Sequence, residues 1–450
     1  GIQRITYSDK TPFHIQSCSL SIDGFRVKFT EPLAHSQNLA QNIKIRSYRF
    51  EYGYRYGSRE LDKKNHKILG VQKLDDTDNP TWGISIEKLS PSRIYELSFS
   101  VKSVSGLKMI SPFVQYTVQR LRRPETDFPA RISETKRGLE VSLGGKPFAT
   151  YDTTSSNKPI IWQVIGPNGQ NMLRDWPLKK DTPGEAHDHI HHQGIFFAHE
   201  KISGANFWHI DRPNSGSIEQ RRLIDTRSGK DRAMIKTLNA WKNKKGTTLA
   251  ADTRTLTFFG DATSRTIDLE FILHATNGPV QIDPYKDGVF AIRTHPDLRL
   301  KPSPKDGVKE VFGQALNSEG NHAKGVWGKR ADWVHYFGAV DGKPAGIAFL
   351  SHPTNPSKGN QKGWWHARDY GLISANPFAP EKIKGDGGRT IPKGQSLGFR
   401  YQIIFHSYDK HEDAKIEERF TEYAKTPAHP TSMMPPHPGY PEDYLSKNSK

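Results

Sequence analysis

The densest group of chemistry-bearing side chains in the sequence is Glu185-Ala186-His187-Asp188-His189-Ile190-His191-His192. Alternate side chains of an extended strand share a face, so this spacing predicts that His187, His189 and His191 project together. Imidazoles grouped in this way suit a divalent metal, zinc or calcium, with Asp188 or Glu185 supplying a carboxylate. They equally suit metal-free acid/base work or substrate binding, because a free imidazole titrates at about 6.5. On that reading His189, His191 and His192 are candidate catalytic groups. A structural polar network is the third reading. The apolar run Gly194–Ala198 follows and reads as a strand, which puts the histidines at a strand entry, where site residues often sit.

A second constellation is Trp364-Trp365-His366-Ala367-Arg368-Asp369-Tyr370-Gly371. In extended form Trp364, His366, Arg368 and Tyr370 share one face, and Trp365, Ala367 and Asp369 the other. An aromatic ring, an imidazole, a guanidinium and a phenol fit an acidic sugar. The ring stacks on the apolar sugar face, Arg368 pairs with a carboxylate or sulfate, and His366 and Tyr370 handle protons. Trp365, Arg368, Arg293 and Asn376 are therefore candidate substrate contacts. The plainer alternative makes the tryptophans core and Arg368-Asp369 a local ion pair. Arg293 closes the expected strand Gly288–Arg293 and is either an anion anchor or a salt-bridged residue. His352-Pro353 and Asn355-Pro356 read as turn formers. Asn376-Pro377-Phe378 reads as a turn whose Asn376 reaches into a site.

Several chemistries leave no trace. The chain has no G-x-S-x-G, phosphate-binding loop, dinucleotide fingerprint or H-E-x-x-H. Its single cysteine, Cys18, excludes an internal disulfide, and no C-x-x-C-H is present for covalent haem. A pair of glycosidase carboxylates cannot be picked out, because their separation is a property of the fold.

The elements that must position these residues are strands. Phe25, Val27 and Phe29 alternate, as do Tyr95, Leu97, Phe99 and Val101, and turn signals recur at Asp23-Gly24, Asn277-Gly278 and Asp341-Gly342. Thirty prolines and 38 glycines fit many turns, and one fair helix is expected near Lys410–Ala424. The expectation is all-β: an immunoglobulin-like sandwich over 1–122, a large β-sandwich carrying the site over 127–425, and a Pro-rich extended tail over 426–450, with Arg122–Thr126 as linker.

The chain of 450 residues carries a net charge of +17 and a mean hydropathy of −0.72. No apolar run approaches the roughly 20 residues of a membrane helix. The basic balance attracts polyanions. Helix-turn-helix, zinc-finger and RNP-type patterns are absent, so nucleic acid is not expected and an anionic carbohydrate is. The chain opens at Gly1 without a methionine, inside what reads as domain sequence. That predicts a processed or truncated start, with further domains or subunits before Gly1, in a secreted or periplasmic protein.

Two stretches resemble known families. Gly1-Ile2-Gln3-Arg4-Ile5, Thr11-Pro12-Phe13, Asp23-Gly24-Phe25, Phe29-Thr30-Glu31-Pro32 and Tyr56-Gly57-Ser58 resemble an immunoglobulin-like β-domain of large secreted bacterial proteins. There it accompanies haem-binding or sugar-dehydrogenase-like modules. From about 127 to 410, the run Asp188–Gly194, Phe207-Trp208, Trp333, Tyr336, Gly338, His352-Pro353, Asn355-Pro356, Trp365–Gly371 and Asn376-Pro377-Phe378 resembles the uncharacterised family labelled "methane oxygenase PmoA". The resemblance implies an exported protein of sugar-degrading bacteria, and Trp208 joins the candidate substrate contacts. Gln193 departs from the pattern, where members often carry a basic residue. A particulate methane oxygenase subunit spans the membrane, so oxygenase chemistry is not expected of this chain.

The expected function is therefore cleavage of an acidic polysaccharide or glycoside, by hydrolysis or β-elimination. The alternatives are a glycan-binding module built on the nine tryptophans, or a structural part of a secreted complex. The enzymatic reading requires the His189 and His366 segments to meet in space.

Overall fold

The computed structural model describes residues 12–34, 38–50, 59–119, 121 and 128–426. The motifs Gly1–Ile5 and Tyr56–Ser58, the linker Arg122–Thr126 and the tail beyond Thr426 lie outside the described residues. The chain is all-β and forms two compact units, one within 1–124 and one within 125–424.

The first unit holds two four-stranded antiparallel sheets. One orders Ile15–Leu20, Gly24–Phe29, Trp82–Ile86 and Ile68–Lys73; the other orders Glu60–His66, Ile43–Phe50, Arg93–Phe99 and Phe113–Val118. The alternating apolar residues of the sequence bury as the period of two requires: Phe25, Val27 and Phe29 meet Tyr95, Leu97 and Phe99 in one core. Cys18 is a half-buried free thiol, and burial pushes its pKa up to about 12.

In the second unit a nine-stranded sheet runs Arg330–Ala331, Gly363–Arg368, Leu372–Ala375, Gly288–Arg293, Ile195–His199, Ile160–Val164, Lys146–Asp152, Gly138–Leu143, Ala130–Thr135. An eight-stranded sheet runs Ser217–Arg227, Arg232–Lys242, Thr248–Gly260, Ser264–His274, Ser396–His406, Lys343–Ser351, Trp333–Val340, Gln314–Asn317. The two face each other across one core. Phe197 stacks on Phe271 at 4.4 Å and Phe290 on Tyr401 at 5.3 Å, each pair drawn from opposite sheets. The one α-helix among the described residues, Ile416–Ala424, packs Ile416, Phe420 and Tyr423 outside that core against Ala348, Leu350 and Ile404.

Register is what matters for the site. Ile195 pairs with Ile292, and Leu372 pairs with both Arg293 and Arg368. The end of Gly288–Arg293, the end of Gly363–Arg368 and the entry to Ile195–His199 therefore lie together along one edge of four neighbouring strands, with Leu372–Ala375 between Gly363–Arg368 and Gly288–Arg293. Two segments more than 170 residues apart in sequence are joined there by hydrogen-bonded strands alone.

A buried ion pair sits between the sheets. Asp252 accepts from Arg254 Nε (2.8 Å), Trp241 Nε1 (2.6 Å) and Asn239 Nδ2 (2.8 Å), and Arg254 also donates to the Pro159 carbonyl (3.3 Å) of the facing layer. Removing one partner of such a pair strands the other charge. Asp252→Ala is therefore expected to cost about 3–5 kcal/mol in urea unfolding; a loss below about 1 kcal/mol would show that the network does not hold the sheets.

Candidate active site

The histidine run is not a strand. Residues 185–194 form an irregular loop that turns at His192 N–H to His189 O (2.9 Å) and enters the sheet through Gly194. Gly194 has φ +63°, and a Cβ there would lie 2.5 Å from the Ile161 carbonyl, so only glycine fits. His189 itself is held at φ +42°. The cause is Arg174. Its buried guanidinium donates to the carbonyls of Ala186 (3.2 Å), Asp188 (3.0 Å), His189 (2.8 Å) and His192 (3.1 Å), and to Asp188 Oδ1 (2.8 Å). Carbonyls that an extended strand would spend on neighbours instead converge on one cation. Glu185 fixes the other side of the clamp by accepting the Asp175 and Trp176 N–H groups, both at 2.6 Å.

This curvature corrects the expectation of one histidine face. His187 turns outward and stacks on Trp176 at 4.0 Å. Among the described residues, the trio His187, His189 and His191 does not bring its ligand atoms together; the group that does is His295, Asp297 and Asp341. His189 and His191 remain neighbours, with ring centroids 5.6 Å apart, and His189 stacks over His192 at 4.8 Å and beside Tyr370 at 5.4 Å.

The loop does meet the second constellation. Arg293 lies beneath the Tyr370 ring at 4.5 Å, 3.3 Å from Asp188 Oδ1 and 3.4 Å from His192 Nδ1. Asp188 thus bridges two buried guanidiniums through Oδ1, and its Oδ2 holds His189 Nδ1 at 2.9 Å. Burial alone would raise the Asp188 carboxyl, but the His189 hydrogen bond and the charges of Arg293 and Arg174 hold it well below the usual range. Arg293 is not a substrate anchor. It is buried, pushed down to about 9 by burial and by Arg174, and it positions Asp188 and Tyr370.

In Gly363–Arg368 the alternation is as expected. Trp364 and His366 sit ring beside ring at 6.2 Å, and Trp365 faces the core with Nε1 on the Ala331 carbonyl (2.9 Å). Trp365 and Trp208 are therefore not substrate contacts; both are fully buried, and Trp208 packs under His192 at 5.7 Å. Asn376 is corrected too. Its amide is spent on the Tyr285 and Lys286 carbonyls (2.7 and 3.0 Å) and on Phe378 N–H (2.9 Å), which fixes the loop ahead of Asp287. Arg368 is half-buried, between Trp327 at 5.9 Å and Tyr370 at 5.4 Å, with no carboxylate partner among the described residues. Its carbonyl is held by Tyr336 Oη at 3.0 Å.

The residues that the sequence did not single out lie at the floor. Asp287 Oδ1 is 3.4 Å from His366 Nδ1, and Lys286 Nζ is 2.6 Å from Asp287 Oδ2. Glu200 is hydrogen-bonded to Asp287; burial first and that carboxylate second push its pKa up to about 7. His209 packs on His191 at 4.2 Å. Asn206 Oδ1 accepts the His209 N–H (2.8 Å), which fixes the amide, so Nδ2 donates to His209 Nδ1 (3.2 Å) and the ring proton belongs on Nε2. Glu200 and Asp287 flank the strand pair Ile195–His199 and Gly288–Arg293, and the only signal for them was a carboxylate at the end of an otherwise apolar strand.

Burial also sorts the histidines. It lowers His191 to about 2 and His366 to about 4, and carries His192 well below the ordinary value, so all three stay neutral at neutral pH. His189 alone of the catalytic candidates is an exposed imidazole. The assembly offers an exposed His–Asp dyad, a phenol and an unpaired guanidinium over a floor of neutral histidines and a carboxyl pair. It is equipped to move protons beside an anion.

Residues 138–421 match the model of DUF6807, a family of unknown function, and the chain belongs to that family. No curated protein matches it. Among solved structures it is similar to the galactosidase domain of the α-galactosidase-sucrose kinase AgaSK, with TM-score 0.31, 7% identity and coverage of 64% of this chain and 41% of that one. It is also similar to the GH36 α-galactosidase AgaB from Geobacillus stearothermophilus, with TM-score 0.28, 9% identity and coverage of 63% and 40%. The chain spans about two fifths of the length of these structures, and the likeness does not bear on the chemistry of the site.

Two outcomes test this geometry. Arg174→Met removes a buried cation from four carbonyls and a carboxylate and is expected to cost about 3–5 kcal/mol in urea unfolding; near-neutral stability would mean the loop shape does not depend on it. For His366 the folded pKa lies below the unfolded one, so the unfolded chain takes up the proton first and stability falls as pH drops from about 6.5 towards about 4. His366→Gln should remove on the order of 3 kcal/mol of that acid loss, read from denaturation midpoints across the window; an unchanged acid limb would contradict the assignment.

Proposed function

We propose that this member of the DUF6807 family is an exported carbohydrate-active enzyme that cleaves an acidic glycan by proton transfer. His189 is the general base, Tyr370 the proton donor and Arg368 the neutraliser of the sugar's carboxylate. The observation that carries this reading is the Asp188–His189 contact of 2.9 Å, placed beside Tyr370 and Arg368. Asp188 takes the proton-bearing Nδ1, which leaves Nε2 as the lone pair that accepts a proton. Arg174 and Arg293 fix Asp188, as a base needs a third group to orient it.

β-Elimination follows from these roles. His189 removes the proton on the carbon next to the sugar carboxylate. The electron pair of that C–H bond forms a double bond as the glycosidic C–O bond at the next carbon breaks, and Tyr370 gives its proton to the departing oxygen. Burial raises the Tyr370 phenol against the opposing pull of Arg293 and Arg368, which keeps its proton in place for donation. Arg368 stabilises the charge that develops on the carboxylate. Export rests on the sequence resemblance.

Hydrolysis is the second reading, favoured by Glu200, a carboxyl that holds its proton to about pH 7 and so can act as an acid. Its partner carboxylate is hydrogen-bonded to it, whereas hydrolytic pairs stand about 5–9.5 Å apart to admit a sugar or water. That proximity supports elimination over a two-carboxylate mechanism. A flat tryptophan strip, the mark of a non-catalytic binder, has no support: of the nine tryptophans Trp327 alone is exposed.

The test is incubation with polygalacturonate, alginate and heparin-class polysaccharides, following ultraviolet absorbance of the unsaturated product. His189→Ala should lower kcat about 10²–10⁴-fold, and Arg368→Ala should raise KM. New reducing ends without unsaturated product, lost in Glu200→Gln, would replace elimination by hydrolysis. No product from any acidic polysaccharide would contradict the catalytic reading.

A further inference from the structure

We infer that the open cavity of about 570 Å³ beside Trp327 is a second anion subsite, holding the charged substituent of a sugar residue next to the one at Tyr370. This rests on the acidic-glycan reading of the active site and extends it from one sugar to a chain.

The cavity walls carry Lys329, Arg330, Lys358 and Lys384 against two carboxylates, Glu381 and Asp386. Both carboxylates are spent. Asp386 Oδ1 accepts from Arg330 at 2.6 Å and its Oδ2 from the Lys358 N–H at 3.1 Å, while Glu381 pairs with the Lys358 ammonium. Lys329 and Lys384 have no carboxylate partner among the described residues. Exposed lysines are usually just solvated, but these two stand on a fixed wall. Arg330 donates to the carbonyls of Lys362 (3.0 Å) and Lys384 (2.8 Å), and Trp364 Nε1 donates to Ile383 O (2.9 Å). Lys384 is held at φ +67°, a conformation that costs a non-glycine residue free energy and persists only where the surroundings impose it.

The cavity is linked to the active site through Trp327. Its wall begins at Gly328, the residue after Trp327. The exposed Trp327 ring carries the Arg368 guanidinium at 5.9 Å, and Arg368 lies 5.4 Å from Tyr370, which stacks beside His189. One guanidinium, one exposed indole and two uncompensated ammoniums thus follow one another away from the base. An indole between two cationic positions suits a saccharide whose apolar face stacks while its acidic groups pair on either side.

The test uses the full chain and calorimetric titration with oligogalacturonates and heparin-derived oligosaccharides, each from disaccharide upward. K329E/K384E is compared with the parent, with R368A, and with K244E/K245E, which makes the same charge change on an exposed turn. The expected result for K329E/K384E is a loss of about tenfold or more for the longer members of one series, since one charge-assisted contact is worth roughly that. Disaccharide binding and the thermal midpoint should be unchanged. The series that shows the loss identifies the anion as carboxylate or sulfate. Unchanged binding in K329E/K384E, an equal loss in K244E/K245E, or no binding of either series by the parent overturns the inference. Binding lost in K329E/K384E but unmoved by R368A would keep the cavity as an anion site and refute the reading of the active site, so the two failures are distinguishable.

Discussion

Two guanidiniums, Arg174 and Arg293, are buried to 1% exposure against one carboxylate, Asp188. Burying a cation is costly unless it is paired and hydrogen-bonded, so the chain around these two must supply acceptors. For Arg174 it supplies four backbone carbonyls of the histidine loop. For Arg293 it supplies the face of Tyr370. The loop curves, His189 turns out, and Tyr370 lies flat beside it as consequences of satisfying those two charges. Asp188 is the joint: one oxygen answers both arginines and the other orients His189.

The sandwich makes this affordable in geometry. Antiparallel register sets the ends of four neighbouring strands side by side, and the two-layer core beneath them is largely apolar and closely stacked. A rigid floor of that kind lets short loops carry a strained residue such as His189. It also explains the division among the histidines. Those that face the core stay neutral and serve as packing and polarity, while the one that reaches water is the one able to cycle a proton.

Much of the architecture was legible in the sequence. Gly288–Arg293 reads as a strand and is one, and the alternation of Phe25, Val27 and Phe29 or of Trp364, His366 and Arg368 marks the faces they occupy. The two constellations were both visible, and they do meet. What was not legible depends on partners distant in sequence. The histidine run reads as extended because nothing within it bends it; the bend comes from Arg174, outside the motif. Trp365 and Trp208 look like sugar platforms by type, yet tertiary packing takes both into the core. Asn376 looks like a polar probe and is consumed by backbone it must hold. Glu200 and Asp287 become a pair only through strand pairing between Ile195–His199 and Gly288–Arg293.

The claim on which the account turns is that Asp188 fixes the His189 proton on Nδ1 and leaves Nε2 free to act. The most direct measurement is nitrogen NMR of the histidine rings in isotopically labelled protein, with the His189 signals assigned by their loss in His189→Gln. The account predicts that the neutral form of the His189 ring carries its proton on Nδ1, shifting toward a mixture of tautomers in Asp188→Ala. A ring protonated at Nε2, or tautomers already mixed in the parent protein and unmoved by Asp188→Ala, would contradict it.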